Sequence, residues 1–211
     1  MSGTVTRLEI QKRNKERVNV YLDDRFAFGL ALNLALELKK GQHLSDADIA
    51  RLKADDDRRR AYERALHFLG FRARSRAEME RYLRGKEYSA GVIAATVQRL
   101  AAEGLLNDAE FAQAWTDNRQ QLKPKSKRAL RYELRQKGVD GESIEQALAD
   151  LDEDDAARRA LAPKLRQWRH LPEADFKKKA LAFLARRGFN YDVARPAVED
   201  GWAGVAEDSE E

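Results

Sequence analysis

Ten cations are the groups best placed to do chemistry: Arg72, Arg74, Arg76 and Arg81 in one stretch, and Lys123, Lys125, Lys127, Arg128, Arg131 and Arg135 in another. Guanidinium forks and ammonium groups at this density recognise carboxylate or phosphate, so the chemistry they offer is binding of a polyanion or of an acidic protein face. Residues that would support catalysis are scattered instead. His43, His67 and His170 have no partner at metal-ligand spacing, and neither common glycine-rich phosphate loop occurs. Asp55-Asp56-Asp57 and Asp152-Glu153-Asp154-Asp155 are dense enough for a divalent cation, but both fall at expected helix boundaries, where acids favour the N-terminal dipole. No catalytic residue, metal site or cofactor is expected, and the chain reads as a non-enzyme.

Charge distribution says more than the formal net charge of +4. From Arg58 to Ala90 ten Lys/Arg face four Asp/Glu, and from Gln121 to Lys137 seven face one, so each stretch is +6. Glu199 to Glu211 carries six acids and no base, which suits a solubilising or self-screening tail. Within the first stretch, Arg72 and Arg74 precede Ser75, a helix cap, while Met79, Tyr82 and Leu83 have the spacing of an inward face and leave Arg76 and Arg81 elsewhere on the helix. Solvation, or pairing with Glu78 and Glu80, is the competing account of these four arginines. In the second stretch Leu130 and Leu134 mark the buried side, Arg128, Arg131 and Arg135 repeat as a basic stripe, and Lys123 and Lys125 flank Pro124; only Glu133 offsets them. Trp115 follows Phe111 at core spacing, whereas Trp168 and Trp202 are open to either packing or base stacking.

The elements that must position these side chains are helical. Apolar residues reach 43%, enough for a folded core, and 36% charged residues is well above the usual quarter, a balance suited to helices that lie near solvent. With no cysteine, disulfides are excluded and the cytoplasm is the expected compartment. The apolar run Phe26 to Leu36 is too short to span a bilayer, and Met1 to Ile10 has no signal-peptide pattern, so no membrane partner is expected. Thr4 to Gln11 and Val18 to Leu22 are β-prone, and Asp23-Asp24 turns into Arg25-Phe26-Ala27-Phe28; a small antiparallel sheet of two or three strands is predicted. Ala31 to Lys40 reads as a helix ended by Gly41, Ser45-x-x-Asp48 as a capping box opening a short helix, and the charged Asp55 to Arg60 as the close of this region.

Beyond Arg58 the sequence repeats near every fifty residues. Leu83-Arg-Gly-Lys-Glu-Tyr88-Ser89, Leu134-Arg-Gln-Lys-Gly-Val139-Asp140 and Leu184-Ala-Arg-Arg-Gly-Phe189-Asn190 superpose without a gap, and in register Ile93/Val97 match Ile144/Leu148 and Ala194/Val198. With an upstream helix at Tyr62 to Leu69, Ala109 to Gln121 and Ala156 to Arg169, the expectation is a mainly α protein. It comprises a small sheet plus short helices at 1–57, three tandem three-helix repeats at 58–107, 108–152 and 153–201 that stack into an elongated curved solenoid, and an acidic tail at 202–211. Gly138 and Gly188 sit where a left-handed turn residue belongs, but the first repeat has Glu87 there, so its turn must differ or bear strain of about 1 kcal/mol.

Phe68-Leu-Gly-Phe-Arg72-Ala-Arg74-Ser75-Arg-Ala-Glu78, Tyr82-Leu83, Gly104-Leu-Leu-Asn107-Asp108-Ala-Glu-Phe111-Ala112 and Lys127-Arg128-x-Leu130-x-x-Glu133-Leu134-x-x-Lys137-Gly138-Val139, in this order and at these separations, resemble the RecX regulators of RecA. The likeness covers residues 58 to 152 closely and the flanking regions more loosely; the family's pattern usually has glycine at position 87. The resemblance implies a three-repeat helical protein that lies in the groove of the RecA filament on single-stranded DNA; a monomer is expected. There it limits filament growth, ATP hydrolysis, strand exchange and co-protease activity. Contact with single-stranded DNA is either direct or through the filament, and the ten cations are the expected RecA- or DNA-binding residues. The rival reading is an autonomous DNA-binding protein with a helix-turn-helix in each repeat, although Gly91 to Leu100 offers only Gln98 and Arg99 for base contact.

Overall fold

Alternation decides the first elements. In β2 (Arg17–Leu22) every second side chain, Val18, Val20 and Leu22, is apolar and buried. In the computed structural model, which describes residues 2–207, β2 pairs antiparallel with β1 (Gly3–Ile10) on one side and β3 (Arg25–Ala31) on the other. A two-residue strand, β4 (His43–Leu44), adds to the far edge of β1, so the sheet has four strands in the order β3-β2-β1-β4, beyond the two or three that propensity predicts. Asp23 and Asp24 close the β2–β3 hairpin with φ of 45° and 62°, the turn whose twist matches the strands it joins.

Two expectations for this region are overturned. The helix expected over 31–40 is one turn, α1 (Leu32–Ala35). Ala31 is still in β3, and Val5 exchanges main-chain hydrogen bonds with Gly41 and Gln42, so the residues between must return to the sheet edge and cannot continue a helix. The helix opened by Ser45 is not short. The capping box forms, Ser45 Oγ accepting from Asp48 N–H and Asp48 accepting from Ser45 N–H, but α2 (Asp46–Leu69) then runs for 24 residues. It passes straight through Asp55 to Arg60. That stretch contains no glycine or proline, and its charges pair along the helix as Asp55–Arg58, Asp57–Arg60 and Arg59–Glu63. The middle acid is different: Asp56, 4% exposed, accepts from Arg17 Nη1 and Nη2 at 3.2 and 2.8 Å and from Ala31 N–H at 2.8 Å. The triplet therefore lies mid-helix and ties α2 to the sheet; it does not cap a terminus.

The repeat region follows the predicted periodicity. The C-terminal part of α2 with α3 (Arg76–Arg84) and α4 (Ala90–Ala102) makes the first repeat, and α5 (Asp108–Leu122), α6 (Lys127–Gln136) and α7 (Gly141–Leu148) the second. Helices α8 (Glu153–Trp168), α9 (Glu173–Arg186) and α10 (Tyr191–Glu207) make the third. Ser89, Asn107, Ser126, Asp140 and Asp152 cap the helices that follow them. The three aligned pairs Ile93/Val97, Ile144/Leu148 and Ala194/Val198 are all buried. One boundary moves: α10 continues to Glu207 and seats Trp202 against Phe176, so residues 202–207 belong to a helix, while 208–211 lie outside the described residues.

Residues 2–73 with 79–105 form one compact unit and Arg74–Glu78 with 106–207 a second. In the first, Val5, Val20, Leu30 and Leu44 on the sheet pack with Ile49 and Leu52 of α2. In the second, Phe111, Leu130, Leu134 and Ile144 form one core, and Leu161, Phe176, Leu184 and Val198 another. Between these repeats a serine cap meets the next repeat's turn. Ser75 Oγ accepts from Glu78 N–H at 3.2 Å and donates to the Lys137 carbonyl at 2.6 Å, and Ser126 N–H donates to the Arg187 carbonyl at 3.2 Å. Lys137 and Arg187 each precede a left-handed glycine. At the aligned position of the first repeat Glu87 keeps the same left-handed turn, at φ 63°, and so bears the strain.

Candidate functional site

The ten cations are not equally available. The division between the two units runs through the first group, with Arg72 and Arg81 in one and Arg74 and Arg76 in the other. Arg72, on the turn before the Ser75 cap, folds back so that Nη1 donates to the Ala73 carbonyl at 2.8 Å. Arg74 is half-buried, whereas Arg76 and Arg81 stand exposed on α3, whose Met79 and Leu83 are fully buried. Exposed Arg84, outside the ten predicted cations, lies three residues beyond Arg81 on the same face.

The second group lies wholly within one unit, and its neighbours select among its members. Glu133 accepts hydrogen bonds from Trp115 Nε1 and Arg119 Nε, both at 2.9 Å, and from Lys125 Nζ. Burial pushes this carboxyl up, but the bonds from Lys125, Arg119 and Trp115 outweigh it and hold it below its ordinary value. Lys125 is therefore spent inside the fold. Arg131 is spent too. Its guanidinium grips Glu145 of α7 through Nε and Nη2 at 2.6 and 2.7 Å, an interaction that lowers the carboxyl and raises the guanidinium. Helical phase along α6 does not disclose this partner, because Glu145 lies on a different helix. Lys127 Nζ reaches the Ala149 carbonyl at 3.1 Å. Lys123, Arg128 and Arg135 remain, all exposed, with no side-chain hydrogen bond or ion pair among the described residues. The predicted stripe of three arginines is thus two, with Tyr132, 66% exposed, between them.

Other candidates resolve as structure. Trp115 is half-buried against Phe111, with Arg119 and Lys137 over its ring; Trp168 is buried beside Phe183; Trp202 packs on Phe176. Each ring is thus packed within the fold. Asp152 caps α8, accepting from Asp154 and Asp155 N–H. A cavity of about 350 Å³ in the first unit is lined by Arg17, Arg59, Arg60 and Arg64, but the first three already pair with Asp56, Glu63 and Asp57.

Four stretches of the chain match family models in chain order: the RecX N-terminal domain at residues 3–45, and the first, second and third RecX three-helix domains at 61–100, 107–148 and 152–198. The chain belongs to the RecX family. Regulatory protein RecX of Bacillus subtilis (strain 168) is 36% identical over 200 residues, covering 92% of this chain and 76% of the relative. The RecX of Bacillus velezensis is 32% identical with the same coverage. A crystal structure of a regulatory protein RecX superposes with a TM-score of 0.69 at 25% identity, covering 94% of this chain and 99% of that one. The structure of RecX from Lactobacillus salivarius matches in fold with a TM-score of 0.61 at 22% identity, over 69% of this chain and 97% of that one. The three RecX helical domains coincide with the three repeats seen here, the first beginning inside α2. RecX is a regulatory, non-enzymatic family. Among the described residues no helix is long and apolar enough to cross a membrane.

Proposed function

We propose that this protein is a negative modulator of RecA that binds the RecA–single-stranded DNA filament as a cytoplasmic monomer and limits its growth, ATP hydrolysis, strand exchange and co-protease activity. Beyond membership of the family, the observation that carries this reading is selective pairing on α6 and the segment that leads into it. Lys125 and Arg131 are neutralised by Glu133 and Glu145, while Lys123, Arg128 and Arg135 are left exposed to an external anion. Carboxylates or phosphates displayed repeatedly along a filament would meet such a surface at more than one point, which multiplies weak contacts. An autonomous groove-reading protein is less well supported. Of the two polar candidates on α4, Arg99 is held by Glu103 at 2.8 Å and lies over the Tyr62 ring, so it is not free for a base.

The test is single-stranded-DNA-dependent ATP hydrolysis by the cognate RecA with substoichiometric amounts of this protein. Hydrolysis is expected to fall. Arg128→Glu with Arg135→Glu should relieve the inhibition, whereas Arg131→Gln should leave most of it. Unchanged hydrolysis at micromolar excess of wild type rejects the regulator reading; full inhibition by the double charge reversal rejects only this placement of the contact.

A further inference from the structure

The exposed residues of α6 are Arg128, Tyr132, Arg135 and Gln136. At positions i, i+4, i+7 and i+8 they share one face over about 12 Å of helix. No carboxylate of α6 shares it: Glu133, the helix's single acid, turns inward to Trp115, Arg119 and Lys125. Glu145 of α7 is gripped by Arg131; Arg135 also acts on it through its charge, without a hydrogen bond. Among the described residues neither a ring nor a cation lies against Tyr132, although most other aromatic side chains in the repeats have one or the other. The arrangement occurs once. Aligned with Tyr132 and Arg135 are Arg81 and Arg84 in the first repeat and Ala182 and Ala185 in the third, so only α6 sets a ring between two cations.

We propose that this face of α6 binds single-stranded nucleic acid directly, Tyr132 stacking on an unpaired base while Arg128 and Arg135 hold phosphates on either side of it. An exposed ring flanked by exposed guanidiniums that make no hydrogen bond or close ion pair among the described residues is the combination that single strands reward, because every base offers a π-face and every linkage a charge. A duplex covers those faces and gives Tyr132 nothing to stack on. An acidic protein surface would use the two arginines and leave the ring idle. The inference rests on the regulator reading for its setting, but its test contains no RecA, so the two fail separately.

Binding of the full-length protein is measured by fluorescence anisotropy on a labelled oligothymidylate, an abasic strand of equal length, the corresponding duplex and polyglutamate. Tyr132→Ala should weaken oligothymidylate binding about 5- to 100-fold and Tyr132→Phe should restore it. On the abasic strand Tyr132→Ala and wild type should bind alike. The slope of log affinity against log salt should be unchanged in Tyr132→Ala and should fall by about 0.7 for each of Arg128→Gln and Arg135→Gln. Because Tyr132 is exposed, the variant should keep the wild-type melting temperature, which is checked alongside. Equal binding of Tyr132→Ala and wild type to oligothymidylate overturns the proposal. So does the same loss on the abasic strand, or a loss that appears only on polyglutamate, which would assign the face to an acidic protein.

Discussion

Gly138 lies so close to Ala77 that the Cβ of any side chain at 138 would fall 2.3 Å from the Ala77 Cβ. Gly188 meets the preceding repeat in the same way, its added Cβ falling 2.5 Å from Ser126 Oγ and 2.7 Å from the Ala129 Cβ. Both glycines have positive φ, 78° and 95°. Glycine is therefore required twice over at these joints, for conformation and for close approach. Glu87 occupies the aligned turn of the first repeat, which no earlier repeat precedes, and there only the conformational requirement operates.

Gly138→Ala should accordingly lose far more stability than Glu87→Gly changes. Strain near 1 kcal/mol adds to displacement of a packed helix start, for an expected loss of about 2 to 4 kcal/mol. Glu87→Gly relieves strain but loosens the unfolded chain, for a net gain of up to about 1 kcal/mol. Urea unfolding of both variants measures this. A Gly138→Ala protein as stable as wild type would dispose of the close-packing account, and a clear loss in Glu87→Gly would dispose of the strain account.

Glu133 makes stability depend on pH in a definite direction. Its folded-state carboxyl is held below its unfolded value, so the unfolded chain binds the proton more readily as acid is added. The stabilisation is complete above the ordinary glutamate range, about pH 4.3, and is lost as pH falls through the depressed folded value. Glu133→Gln should therefore flatten the acid limb of the melting-temperature profile and, at neutral pH, cost about 1 to 3 kcal/mol, since three donors lose an ionised acceptor. An acid limb identical in wild type and Glu133→Gln would show that other carboxylates govern it.

The repeats were legible in the sequence because their signal is local: caps, apolar pairs and a turn glycine recur at fixed spacing, and Leu130, Leu134, Ile144 and Leu148 all do what their spacing predicts. Ala31 to Lys40 was not legible, since helix propensity there yields to main-chain bonds from Val5, which are non-local. The candidate site divided along the same line. Exposure of Arg128 and Arg135 follows from helical phase, whereas the loss of Arg131 to Glu145 and of Lys125 to Glu133 depends on which helices pack together. Tyr132 carried a signal that could have been read, an aromatic opposite the Leu130/Leu134 stripe, but an isolated exposed ring is common enough to pass unremarked.

Asp56 supplies the sharpest case of a residue whose role only packing discloses, and it yields the last prediction. A run of three aspartates suggests solvated charge, yet Asp56 is buried and satisfies both Arg17 and the Ala31 main chain, joining α2 to two strands. Removing one member of such a pair leaves the other uncompensated, and Asp56→Ala should cost about 3 kcal/mol or more. Asp55→Ala and Asp57→Ala remove exposed i,i+3 partners and should each stay within about 0.5 kcal/mol of wild type. Thermal unfolding of the three single variants separates them. The double variant Arg17→Met with Asp56→Leu adds a further condition: replacing the pair by apolar side chains should recover part of the loss, though the Ala31 N–H stays without its acceptor. If Asp56→Ala melts with its two neighbours, the pairing contributes nothing and the sheet is held to α2 by other contacts, Ile49 and Leu52 among them.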